Sequence, residues 1–134
     1  MAIQVVTTEQ STLFTIRTKH TTYQMKADEY GVLLHLWYGA SVEGDMSYLL
    51  DYPDVGFSGN LYEAENRRTY SLNTLPLEYA TEGVGDFRIP AVAATHADGS
   101  NALDLRYQSY NILKGKYAIA GLPAVYADED EAET

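Results

Sequence analysis

The chain has 134 residues, 46% of them hydrophobic, with 12 tyrosines, no cysteine and a formal net charge of −10. That length holds one domain able to bury a core, and the acidic balance argues against nucleic acid or an anionic membrane as partner, since both call for a basic patch. There is no disulfide scaffold, thiolate metal site, Asn-x-Ser/Thr acceptor, basic-then-apolar leader or run of about 18 apolar residues, so a cytoplasmic protein is expected.

Short strands come first. Residues 3–7 are a β-branched run. Residues 13–18 alternate, with Phe14 and Ile16 on one face, and 21–27 alternate again through Tyr23 and Met25. Asp28-Glu29-Tyr30-Gly31 has turn chemistry, with Gly31 able to take a positive φ. Residues 32–38 (VLLHLWY) are nearly continuous apolar, which suits a strand covered on both faces. The first forty residues therefore read as an antiparallel meander of three or four strands. Residues 46–50 fit a helical turn or a strand, and so short a segment shows no deciding period.

Residues 57–91 lack a period and are punctuated by Gly, Asn and Pro. Such a stretch is usually functional or disordered. Its Leu61, Tyr70, Leu72, Leu75 and Phe87 carry too much apolar surface for a solvated linker, so an ordered loop region is expected. Residues 91–97 then read as a strand, Asp98-Gly99 as a hairpin turn and 102–110 as the return strand, with Leu103, Leu105 and Tyr107 alternating. Gly115 makes another turn and 117–120 a last short strand. Asp128, Glu129, Asp130, Glu131 and Glu133 crowd the final seven positions, as a solvated tail would.

Chemistry-bearing patterns are sparse. His20, His35 and His96 lack zinc-site spacing, and His35 within its apolar run reads as a sheet-face residue. Gly83-x-Gly85 is a glycine-permitted bend rather than a phosphate loop, because no helix pattern follows and Asp86 would repel phosphate. A retaining glycosidase needs two carboxyl groups about 5–5.5 Å apart across one bond, and no spacing here shows such a pair. Trp37 could stack on a sugar, but its apolar neighbours favour core packing. No cofactor is implied.

Seven pieces occur in one order: Phe57-Ser58-x-Asn60; Arg68-x-x-Ser71-Leu72-x-Thr74-Leu75-Pro76-x-Glu78-Tyr79; Gly83-x-Gly85-Asp86-Phe87-Arg88-x-Pro90-Ala91; Asp104-x-Arg106-Tyr107; Lys114-Gly115-Lys116; Gly121-Leu122-Pro123-Ala124; and Glu131-Ala132-Glu133-Thr134. Together they resemble the N-terminal β-sandwich domain of the retaining α-galactosidases of glycoside hydrolase family 36. Asn73 stands where that family usually has Asp, and Gly59 where it usually has Pro. The resemblance implies an all-β antiparallel sandwich with few or no helices, the first part of a larger β-supersandwich, with residues 127–134 continuing into further chain. It implies a parent enzyme that removes terminal α-galactosyl groups from melibiose- or raffinose-type sugars. The catalytic aspartates would lie on a separate barrel, so 1–134 would hold no catalytic residue and no metal. Its partners would be that barrel, an α-galactoside, and further copies in a homo-oligomer, a tetramer for the parent.

By position, the resemblance matches Asp54 and Arg68 to loop residues that face the galactose pocket of a barrel, in the family's tetramers one that can belong to a neighbouring subunit, and both are expected to bind substrate. A carboxylate can accept two hexose hydroxyls and a guanidinium can orient it. The other reading of the two is a surface ion pair of little energetic weight. Phe87 is expected to anchor its loop, with Asp86 and Arg88 serving nearby backbone groups. A half-sandwich is also expected to leave the side chains of 32–38 in water and so to self-associate. The alternative to the enzyme domain is a free-standing carbohydrate-binding or protein-interaction β-sandwich module.

Overall fold

The computed structural model describes residues 2–56, 60–65, 67–116 and 118–124. The acid-rich segment 127–134, and Phe57, Ser58 and Gly59, lie outside that range. The fold is all-β and antiparallel. Strands β1 (Ala2–Thr7), β2 (Thr12–Arg17), β3 (Thr21–Ala27) and β4 (Leu33–Ala40) form one sheet in the order β1-β2-β3-β4. The meander read from the alternation is there, with boundaries shifted by a residue or two. The only helical elements among the described residues are the 3₁₀ turns Met46–Leu49 and Tyr62–Ala64. No helix there is long and apolar enough to cross a membrane.

Register sets the two faces, because side chains alternate along a strand. Val5, Phe14, Met25 and His35 align across the sheet, and so do Gln4, Thr15, Gln24 and Trp37. A register shift between Gln24 and Met25 bulges β4. Tyr107 and Tyr110 pack edge-on against Phe14 at 5.7 and 5.4 Å. The opposite face is polar around Gln24, where residues 42–46 seal it, while Leu34 on the same face enters the core. Buried Gln24 donates to Thr15 Oγ1 (3.0 Å) and to the Gly44 carbonyl (2.7 Å), and accepts from the Met46 amide (3.0 Å).

The core is built by the loop region. Val32 and Leu34 pack with Leu61, Ala64, Tyr70, Leu72 and Leu75, all buried. Beyond β4 the sheet is extended by bonds from the His35 amide to Pro76 O (2.6 Å) and from the Glu78 amide to Leu33 O (3.0 Å). Two expectations are corrected here. The side chains of 32–38 are not left in water: Val32, Leu34 and Leu36 are buried, although Tyr38 is exposed. The aperiodic loops supply the missing cover, so that argument for self-association falls away. Trp37 is half-buried rather than a core residue, and its indole donates to the Ala40 carbonyl.

The second hairpin is also corrected. The reversal forms: Gly99 takes φ +83°, and His96 and Ser100 close it through a 2.8 Å bond from the His96 amide to Ser100 O. The flanks do not pair into strands. The Ala91 amide bonds Ala80 O, the Leu103 amide Glu82 O, and the Tyr107 amide Gly31 O. An Asp-Gly turn specifies a local reversal, whereas ladder partners are chosen by competition among all available backbone groups. Residues 118–120 form no strand either, and Tyr117 lies outside the described residues.

Candidate functional site

Asp54 and Arg68 come together across 14 residues of sequence. Arg68 Nη2 lies 3.2 Å from Asp54 Oδ1, with the side chains 63% and 51% exposed. Asp54 also accepts from the Gly56 amide at 2.9 Å, a local Asx turn. The carboxylate is thus oriented from two sides through Oδ1. Among the described residues Oδ2 has no partner, so it can accept hydroxyl donors. A pair this exposed adds at most about 1 kcal/mol to stability.

Adjacent to this pair in the chain is a network with no motif in the sequence. Arg67, next to Arg68, stacks over the rings of Tyr52 and Tyr70 at 5.3 and 5.8 Å. Those rings stack on each other at 6.4 Å. The Tyr70 hydroxyl donates to Asp28, whose other oxygen accepts the Tyr30 and Val32 amides at 2.9 Å each. Burial, then the hydrogen bond to Asp28, pushes the Tyr70 hydroxyl well above its ordinary pKa of 10. The segments carrying Asp54 and Arg68 are therefore fastened to the turn before β4. Residues 42 apart give no local signal of such a contact.

His35 is a sheet-face residue, as read. Its Nδ1 lies 3.0 Å from Glu78 Oε1, and Glu78 Oε2 accepts the Tyr23 hydroxyl. Burial and then Glu78 raise the Tyr23 pKa. The arrangement clamps β3 and β4 to residue 78, and among the described residues no group of His, Asp and Glu could hold a metal.

Asp86 and Arg88 do serve the backbone. The Asp86 side chain has no exposed surface and receives Arg88 through a two-pronged pair at 2.8 and 2.9 Å. Arg88 then donates to the Leu75 and Leu72 carbonyls at 3.0 and 2.6 Å. Burial alone would raise the Asp86 pKa, but the Arg88 bonds and charge outweigh it and hold the carboxyl below its usual value. Phe87 is not the anchor of this loop, because it is 82% exposed. The ion pair takes that part, and Asn73 joins it by accepting the Phe87 amide at 3.0 Å.

Comparison with known proteins gives this geometry its context. Residues 31–134 match the Glycosyl hydrolase family 36 N-terminal domain. The chain is 52% identical over 122 residues to the bifunctional alpha-galactosidase/sucrose kinase AgaSK of Mediterraneibacter gnavus, covering 91% of this chain and 13% of that protein. It is 42% identical over 129 residues to alpha-galactosidase Mel36A of Lactobacillus acidophilus, covering 94% and 17%. The solved galactosidase domain of AgaSK superposes with a TM-score of 0.91 at 48% identity, over 98% of this chain and 18% of that one. Alpha-galactosidase AgaA A355E D548N of Geobacillus stearothermophilus, solved in complex with raffinose, gives 0.81 at 37% identity, over 90% and 17%. The chain thus spans less than a fifth of the length of each of these relatives. It belongs to the glycosyl hydrolase family 36 N-terminal domain family.

Proposed function

We propose that this chain is the non-catalytic N-terminal domain of a retaining, cytoplasmic α-galactosidase that acts on melibiose- or raffinose-type sugars. The observation that carries the reading is the family match over 31–134, together with relatives named as alpha-galactosidases that run several times longer. That difference in length favours an enzyme domain over a free-standing carbohydrate-binding module. In the assembled enzyme, a homo-oligomer, Asp54 and Arg68 line a galactose pocket completed by the barrel of the parent. Asp54 Oδ2 accepts sugar hydroxyls while Arg68 and the Gly56 amide hold Oδ1, which is the division of labour their geometry supports.

The test is kinetics of the full-length enzyme on melibiose and raffinose. A charge-assisted hydrogen bond contributes about 1.5–3 kcal/mol, so Asp54→Ala should lower kcat/KM by about ten- to a hundred-fold. Arg68→Ala should act similarly, and the double variant should fall short of additivity. Parental kinetics in both single variants would return the pair to the surface-charge reading.

A further inference from the structure

In loop 86–92 the polar side chains bond back to the domain, while two large apolar side chains face out. Every polar group described so far in it is spent on the domain. Asp86 and Arg88 bond each other and the Leu72 and Leu75 carbonyls. The Phe87 amide bonds Asn73, the Arg88 amide bonds Asp86 (3.0 Å), and the Ala91 amide bonds Ala80 O (2.9 Å). A bridge between Thr81 and Val92 closes the far end. What faces outward is Phe87, 82% exposed, and Ile89, 92% exposed, with Val92 41% exposed nearby. Surface loops ordinarily show the reverse, with polar side chains in water. Isolated exposed apolar residues need no explanation. Two large ones on either side of a pinned arginine form a preorganised knob, whose ordering has already been secured by the ion pair beneath it.

We propose that Phe87 and Ile89 are the apolar anchor by which this domain docks onto the remainder of its own polypeptide. This rests on the reading of the chain as the N-terminal part of a longer enzyme. The occupant follows from length. More than four-fifths of each compared relative lies outside the matched region, so that remainder is present at fixed proximity in every molecule. The receiving surface is an apolar socket, because the side chains that project furthest from the loop, Phe87 and Ile89, are apolar.

The test uses the full-length protein and does not depend on activity, so it separates from the Asp54 and Arg68 kinetics. Phe87→Cys and Ile89→Cys are each reacted with a maleimide under native and unfolding conditions, and the labelled peptide is located by mass spectrometry. The expected result is labelling at least ten-fold slower in the native protein, independent of dilution from tetramer to monomer. A Phe87→Ser/Ile89→Ser double variant should lower the unfolding midpoint by several degrees without changing the molar mass seen by light scattering. Native labelling as fast as in the unfolded chain would overturn the proposal. Protection that disappears on dilution to monomer would also overturn it, assigning the knob to a second copy instead.

Discussion

The ion pair of Asp86 and Arg88 shows how one side chain can hold a whole loop. Arg88→Ala would leave a carboxylate with no exposed surface and two backbone carbonyls without their donors. Breaking a fully buried pair costs 3–5 kcal/mol, and Arg88 is 41% exposed, so a loss of about 2–3 kcal/mol is expected in a denaturant titration. Arg88→Lys should recover little, because an ammonium cannot make the two-pronged contact. The pH dependence has a definite sign. The carboxyl of Asp86 has a lower pKa folded than unfolded, so its contribution is complete above the unfolded value and fades as pH falls through the folded one. Acid unfolding of the parent chain should therefore be steeper than that of Asp86→Asn. Equal slopes would show that the pair is not coupled to folding.

At the level of elements, the Gln24 amide ties residues 44–46 to the sheet, beside the bonds of Thr22 to Val42 and of Lys26 to Ser47. Gln24 satisfies Thr15, Gly44 and Met46 together, which fastens the segment leading into Met46–Leu49 against β2 and β3. Gln24→Leu should leave the buried Met46 amide unpaired, at about 1–3 kcal/mol, while the carbonyl of exposed Gly44 can turn to water. Hydrogen exchange should then quicken at residues 44–49 while β1 and β2 keep their protection; uniform change would show that the segment is not separately held. Gly83 is the corresponding point in the second half. Its φ is +83°, and a Cβ there would sit 2.7 Å from the Ala102 Cα. Gly83→Ala should cost about 1–3 kcal/mol through backbone strain alone, and more through the clash, read as a lowered unfolding midpoint.

Over the whole molecule, tyrosine hydroxyls set an alkaline limit. Tyr23, Tyr52, Tyr70 and Tyr79 all have raised pKa values, with burial the largest cause in each. A group whose pKa is raised in the fold contributes fully below its unfolded value, here about pH 10, and loses that contribution as pH climbs further. Stability should therefore be level up to about pH 10 and fall beyond it, with tyrosinate absorbance appearing together with unfolding. Tyr70→Phe should be less stable at neutral pH but decline less above pH 10. Ordinary titration of all tyrosines near pH 10 in the folded chain would contradict this.

The local pattern of the sequence determined the four-stranded meander, the turn at Gly31 and the reversal at Asp98-Gly99, because a period of two and a positive φ are properties of neighbouring residues. The ordered pieces from Phe57 to Thr134 carried the family. Tertiary structure alone decided the rest. It sent the amides of Ala91, Leu103 and Tyr107 to Ala80, Glu82 and Gly31 instead of to one another. It covered β4 with the loop core, joined Tyr70 to Asp28, and left Phe87 outside while Arg88 bonded back to Asp86 and Leu72. It also set Arg68 against Asp54, where chain position had offered only a likeness. Each of these outcomes is a choice among distant partners for the same donors and the same apolar surface. A choice of that kind depends on which groups are close once the chain has closed on itself, and neighbouring residues carry no record of it.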